Sequence, residues 1–392
     1  MNNLASHMNI AVFGFIDKRF ITLVLLLLII GLVTLMSASI DYAQYRMGDP
    51  FYFFKRQVIF ALLAIGAGAV AYSVPIAWWY RYGWVCLFVG LFLLLVVLIP
   101  GIGREVNGSR RWIPLGIINF QCSEAAKFLI LVYLAGYLVR RKDEVSESWQ
   151  GFARPVLVIF VAVFLLLMEP DFGSSVVLVV AAMTMLFLGG VGIMQFMILI
   201  GSALSAMFLM AIISPYRLQR LNCFLDPWER AFDCGYQLTQ ALIAFGRGDW
   251  LGLGLGQSIQ KQFYLPEAHT DFIFSILAEE MGMFGVFGVL VLFLMLVMTV
   301  FWIGFKAQKV NRLFCAYYCY GVGALLGIQV FFNVGVNTGL LPTKGLTLPL
   351  FSYGGSSLLM MFVMLAVIAR ISSDISSLNA RSANESHRGL RS

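Results

Sequence analysis

The sequence predicts an all-α polytopic integral membrane protein of about ten transmembrane helices, with a long extracytoplasmic loop between helices 7 and 8. Three observations carry this. Hydrophobic residues make up 60% of the 392 residues and charged residues only 12%, about half the charged share of an ordinary globular chain. Apolar runs close to the ~20 residues a bilayer requires recur along the whole chain. The 34 phenylalanines and 8 tryptophans suit lipid-facing helices and interfacial belts.

Residues 1–19 read as a cytoplasmic tail and not as a signal peptide. No small-residue cleavage site is present, and Asp17-Lys18-Arg19 forms a basic flank to the first apolar run. Spans then fall near 20–40, 57–73, 83–99, 123–139, 154–169, 172–189, 192–213, 271–303, 314–336 and 354–371. Glu169-Pro170-Asp171 breaks the chain sharply between the fifth and sixth. The eighth is too long for one straight crossing, so its first ten residues form an amphipathic lead-in or the helix is strongly tilted. Residues 20–371 make one transmembrane domain that includes the 214–270 loop. The tail 372–392, rich in Ser, Asn and Arg, reads as disordered and cytoplasmic.

Ten spans put both termini on one side. The 27 Lys and Arg residues divide almost evenly between the two faces, so totals do not choose the side. Their distribution does: Arg140-Arg141-Lys142, Lys306, Lys309 and Arg312 flank short loops, which carry the most weight. The basic residues opposite need another reason to be there, and a polyanionic substrate supplies one. No nucleic-acid module accounts for the net charge of +7. Membrane orientation and anionic lipid-linked substrates account for it better. Cys86, Cys122, Cys315 and Cys319 lie in or beside apolar runs and read as packing residues. Cys223 and Cys234 share the long loop; in an oxidising compartment they could pair, and otherwise they are two free thiols.

Four groups of residues could carry chemistry. In the stretch Lys261–Glu280, Thr270 reads as an N-cap and Asp271 as a first-turn acid, where a negative charge suits the helix dipole. His269 beside it is the only histidine outside the tails, and Glu279 and Glu280 follow some two turns on. Arg110, Arg111 and Trp112 stand just outside a span, with Glu124 and Lys127 at i and i+3 on one helix face. They serve either as an interfacial anchor with a local ion pair or as a pyrophosphate clamp, which suits arginine's planar donors. Arg217 and Arg220 open the long loop. Gly252, Gly254 and Gly256 have the wrong spacing for a nucleotide loop. Finally Asn333 and Asn337 share a face at i, i+4, and Lys344, Ser352 and Tyr353 follow in a Pro/Gly-rich stretch. Inter-helix hydrogen bonding and the lining of an outward cavity are both open for these. No H-E-x-x-H or G-x-S-x-G is present, so metalloprotease and serine-hydrolase readings fall away. No metal ligands are assigned; carboxylates are available to a divalent cation, but in no recognisable ligand spacing.

LPEAHTDFIFSILAEEMG (265–282) and GLLPTKGLTLPLFSYGGSS (339–357) resemble, in the expected order, the two signatures of the SEDS family, the shape, elongation, division and sporulation glycosyltransferases. The resemblance covers about residues 15–372, and the wording of Lys344–Pro349 is nearest the division branch. It implies a peptidoglycan glycosyltransferase of the bacterial inner membrane that polymerises lipid II into β-1,4 strands at the septum, with the site facing outward. Asp271 would be the catalytic residue. Arg110, Arg111, Trp112, Glu124, Lys127, Arg217, Arg220, His269, Glu280, Asn337, Lys344, Ser352 and Tyr353 would bind substrate. A class B penicillin-binding protein (FtsI) and other divisome proteins would be the partners. An elongation-type polymerase, a lipid II flippase and a structural scaffold are the competing readings. The inner halves of the spans are nearly charge-free, which favours the enzyme over a translocation path.

Overall fold

The structure is a computed structural model that describes residues 17–106, 109–114, 116, 119–213, 223–343 and 345–389. In order, it forms α1 (Lys18–Met47), α2 (Tyr52–Ser73), α3 (Ile76–Arg81) and α4 (Gly83–Leu98). Three short strands follow, β1 (Arg104–Val106), β2 (Ser109–Pro114) and β3 (Asn119–Gln121). Then come α5 (Cys122–Arg140), α6 (Lys142–Glu147), α7 (Trp149–Met168), α8 (Phe172–Leu188) and α9 (Ile193–Ile213). The long loop holds α10 (Tyr236–Gly248), and α11 (Ile273–Lys309), α12 (Leu313–Asn337) and α13 (Gly355–Gly389) close the chain.

Each expected span falls on an apolar helix. Seven of these are long and apolar enough to cross a bilayer, while α4, α8 and α9 supply shorter apolar stretches. Helices α5 and α12 sit inside the bundle: α12 packs on α11, α8 and α5, and α13 lies along α2. Large apolar side chains remain exposed along α2, α4, α7 and α11, as expected where lipid replaces water as the neighbour.

Two features depart from the expectation, and a third supplies the lead-in expected of the eighth span. The first is a small antiparallel sheet, β1-β2-β3, in an otherwise helical protein. Arg110 stands opposite Glu105, and Trp112 pairs with Arg104 on one side and Gln121 on the other. The second is the tail from Ser372. Instead of being disordered, it continues α13 to Gly389. Nucleation has already been met by the apolar part of the helix, so each added residue needs only propagation. Arg370 and Asp374 brace the junction at i, i+4, 2.9 Å apart.

The third is a break inside α11. Gly282 leaves the helix with φ 64° and ψ −169°, which separates a short lead-in, 273–281, from the membrane-length segment 283–309. The loop after α10 fills the gap. Leu253 N–H donates to the Glu279 carbonyl and Gly254 N–H to that of Glu280, both at 3.0 Å. Met283 and Phe284 N–H donate back to the carbonyls of Asp249 and Trp250. A Cβ on Gly282 would lie 2.3 Å from Gly252 N, so the two segments interlock only because both positions are glycine.

The lead-in carries two buried acids, each paired with a basic side chain. Glu279 accepts from Ser258 Oγ, from the Ile259 and Gln260 amides and from Arg247 at 3.2 Å. Glu280 accepts from Ser37 Oγ of α1 at 2.6 Å and from Lys261 at 3.0 Å. Lys261→Met would strand Glu280 as an uncompensated buried charge, a loss of about 3–5 kcal/mol. We expect a clear fall in the thermal midpoint in detergent, largely restored when Glu280→Gln is added. An unchanged midpoint in the single variant would refute the structural role of the pair.

Candidate active site

The first motif stretch is held through three consecutive main-chain carbonyls, two of them by the second motif and one by α12. Tyr353 N–H donates to the His269 carbonyl at 3.0 Å, and Ser352 Oγ donates to that of Thr270 at 2.6 Å. Asn333 and Asn337 both donate their amide N–H groups to the carbonyl of Asp271, at 2.9 and 3.0 Å. The remaining valences of Asn337 are also taken, since its Oδ1 accepts from Ser275 N–H and Ser275 Oγ. The shared face of the asparagine pair therefore works on the backbone. Asn337 and Ser352, expected among substrate contacts, are instead spent on holding 270–271 in place.

This clamp also moves the helix start. The helix begins at Ile273 with Phe272 at the N-cap position and no side-chain cap. Thr270 is not the cap, and Asp271 lies before the first turn. With their carbonyls held from outside and Ser275 N–H given to Asn337, residues 270–271 cannot enter the helical ladder. The Thr270 hydroxyl turns to the Glu267 carboxylate, 2.7 Å away.

The Asp271 carboxyl is partly exposed but set among protein atoms. An added Cβ at Gly345 would meet its Oδ2 at 2.6 Å, so the carboxylate lies directly against the glycine backbone of the second motif. Burial, with a smaller push from Glu267, raises the Asp271 carboxyl to about 7, and Arg111 opposes the shift. Glu279 and Glu280, the neighbours suggested by sequence, do not contribute; their charges are matched by Arg247 and Lys261.

Arg111 comes from β2. Its guanidinium donates to the carbonyls of Glu169 and Pro170 at the α7–α8 turn and stands 4.0 Å from Asp171. Asp171 caps α8 through Ser174 N–H and accepts from Ser123 Oγ of α5 at 3.1 Å. Burial and the nearby Asp171 charge push Glu169, in the same turn, up to about 9. The sheet is tied to the second motif through Ser356, whose Oγ donates to the Asn119 carbonyl and accepts from Gln121 N–H. Strand pleating separates the two arginines. Arg110 pairs with exposed Glu105 at 3.1 Å, and only Arg111 reaches the Asp271 charge.

Other expected residues fall as follows. Trp112 is half-buried in the sheet. Lys127 is fully buried and paired with Glu124 at 2.8 Å, so the local ion pair is formed. His269 packs against Tyr42, Phe53 and Tyr353, with ring centroids 5.1, 4.7 and 6.1 Å away. Burial lowers its pKa, which keeps the imidazole neutral near pH 7. Glu280 belongs to the Lys261 network. Arg217, Arg220 and Lys344 lie outside the described residues. Cys223 and Cys234 form a disulfide, which settles the alternative that sequence left open. Sequence reasoning passed over Gly345, Glu267 and Asp171. Glu267 had a signal in its four-residue spacing from Asp271, whereas Gly345 had none beyond its place in the motif.

An acid whose main chain is clamped and whose carboxyl is raised to about 7, beside an arginine, is the candidate site of a multi-pass membrane protein. The chain belongs to the FtsW/RodA/SpoVE family of cell cycle proteins, whose model matches residues 17–377. It is 51% identical over 345 residues to a probable peptidoglycan glycosyltransferase FtsW of Hahella chejuensis, covering 88% of this chain and 87% of that one. A relative of the same description from Pseudomonas fluorescens is 52% identical over 347 residues, 88% and 85% of the two chains. Among solved structures, it resembles a chain of a peptidoglycan synthase complex that coordinates polymerization and crosslinking, with TM-score 0.74, 28% identity and 92% and 98% coverage. The rod shape determining protein RodA of Thermus thermophilus matches with TM-score 0.68, 28% identity and 92% and 97% coverage.

Proposed function

We propose that this chain is the peptidoglycan glycosyltransferase its relatives are described to be, polymerising lipid II during septal wall synthesis with Asp271 as general base. The observation that carries the assignment of the base is the Asp271 carboxyl, fixed through its main chain and raised to about 7. A base poised near the working pH combines a useful deprotonated fraction with real basicity. Asp271 takes the proton from the acceptor sugar 4-hydroxyl as that oxygen attacks C1 of the donor. The C1–O bond to pyrophosphate breaks from the opposite face, the anomeric centre inverts to β, and undecaprenyl pyrophosphate leaves with its electron pair. Arg111 stabilises the charge that develops on the leaving group.

Asn333, Asn337, Ser352 and Tyr353 are positioning residues in this scheme, because they touch the backbone that carries the base. The loop side of the protein faces away from the cytoplasm, in keeping with a disulfide in that loop. A class B penicillin-binding protein is the partner, and the division septum of the inner membrane is the place of action.

The test is lipid II polymerisation by the purified protein, with and without the cognate transpeptidase. Strands from the parent and none from Asp271→Ala are expected. Strands from both would keep the polymerase and remove Asp271 as base. No strands under any condition, together with movement of lipid II between leaflets, would replace the enzyme with a flippase.

A further inference from the structure

The loop that fills the break in α11 has a surface the catalytic reading does not use. Trp250, Leu251, Leu253 and Leu255 are all exposed, Leu251 at 81%, and no charged residue interrupts 250–256. In water this would be a costly run of apolar surface. Its position explains it. Trp250 lies 5.9 Å from the ring of Phe284, the first residue of an exposed stripe down α11: Phe284, Phe287, Val291, Leu294, Met298 and Trp302. The stripe keeps helical spacing on one face. From Phe284 to Trp302 it rises about 27 Å, close to the ~30 Å hydrocarbon thickness of a bilayer. At its far end Lys306 lies over Trp302, 5.6 Å from the ring, the arrangement of an interfacial anchor. Trp250 and Phe284 thus mark the opposite interface, and the leucines of the loop sit at that depth.

The backbone of the loop is prepared for such a setting. The amides of Gly252, Leu253, Gly254 and Gln257 donate to the carbonyls of Gly248, Glu279, Glu280 and Gly254, and the Gly256 carbonyl accepts from Lys261 at 2.8 Å. Unpaired backbone groups are costly near hydrocarbon; here the three central donors, Gly252, Leu253 and Gly254, are spent inside the protein while the side chains point out.

We propose that residues 250–255 are an interfacial element immersed in the leaflet on the loop side, with lipid as the surface they bind. The element caps the short helix that follows Asp271. It thereby ties the break at Gly282, from which the base-bearing segment extends, to a fixed depth in the membrane. The proposal does not depend on which reaction the site performs.

Single cysteines at positions 251 and 255, with position 262 (an exposed glutamine) as the aqueous reference, would be labelled with a polarity-sensitive fluorophore in a Cys86→Ala background. The full-length protein would be placed in vesicles of phosphatidylethanolamine and phosphatidylglycerol. Lipids brominated near the carbonyl end of the acyl chain are expected to quench labels at 251 and 255 at least threefold more than at 262, with aqueous iodide showing the reverse order. Iodide quenching at 251 and 255 equal to that at 262 would overturn the proposal. Shielding from both quenchers would also overturn it, by showing a face covered by protein. Agreement between the two loop positions guards against a local disturbance by either label.

Discussion

Asp271→Asn is expected to abolish glycan polymerisation while leaving a folded protein that is more heat-stable than the parent at neutral and alkaline pH. The first half follows from the role of a base. Asparagine keeps the shape and cannot take a proton, and loss of a positioned base typically costs 10²–10⁴-fold. The second half follows from linkage. The carboxyl moves from 3.8 to about 7 on folding, so the folded state binds the proton more tightly than the unfolded one. The stabilising contribution of that bound proton is complete below about pH 4 and is lost as pH rises through 7. Above pH 7 the parent holds a charge its surroundings disfavour, at a cost of roughly 2–4 kcal/mol after allowance for partial exposure.

The asparagine variant should therefore gain little in thermal midpoint at pH 4 and most at pH 8. In the parent, activity should fall about tenfold per pH unit below an apparent pKa near 7, and Glu267→Gln should move that limb to lower pH. A midpoint difference that is flat with pH would show that the carboxyl is not raised. A variant with the parental rate would remove the base.

How much of this was legible beforehand depended on the kind of signal. Span positions came from hydropathy, which needs no tertiary information, because hydrocarbon demands an apolar side chain at nearly every lipid-facing position. Asp271 stood out because an acid at a membrane boundary needs a reason. The start of its helix was misjudged. Thr-Asp is a good local cap, and only tertiary bonds from Asn333, Asn337 and Ser352, more than 60 residues away in sequence, pull the carbonyls out of the ladder. Arg110 and Arg111 look equivalent as a dipeptide; a strand pleat, hidden in a stretch that reads as a loop, sends one to Glu105 and the other to the site. Glu280 looked like a cavity acid because its partners, Ser37 and Lys261, are distant in sequence or on an irregular loop. Ion pairing across such distances leaves no periodic trace.

Gly345→Ala is expected to inactivate the enzyme nearly as well as loss of the acid, without removing any charged or polar group. The added methyl would lie 2.6 Å from Asp271 Oδ2, well inside van der Waals contact. Gly345 does not occupy the left-handed region that disfavours alanine, so its own backbone tolerates the change. The strain must be relieved by Asp271. Its main chain cannot retreat, since the carbonyl is held by Asn333 and Asn337 together, so the carboxylate has to rotate away from its present position. A displacement of about 1 Å at a reacting group costs on the order of 10²-fold. We expect kcat to fall by about that factor, with KM and the thermal midpoint close to parental. In an Asp271→Asn background the same substitution should cost nothing further, because both changes act on one group. An additional loss in the double variant would mean that Gly345 serves the substrate directly. A Gly345→Ala enzyme with the parental rate would mean that the carboxylate does not work from the position it holds here.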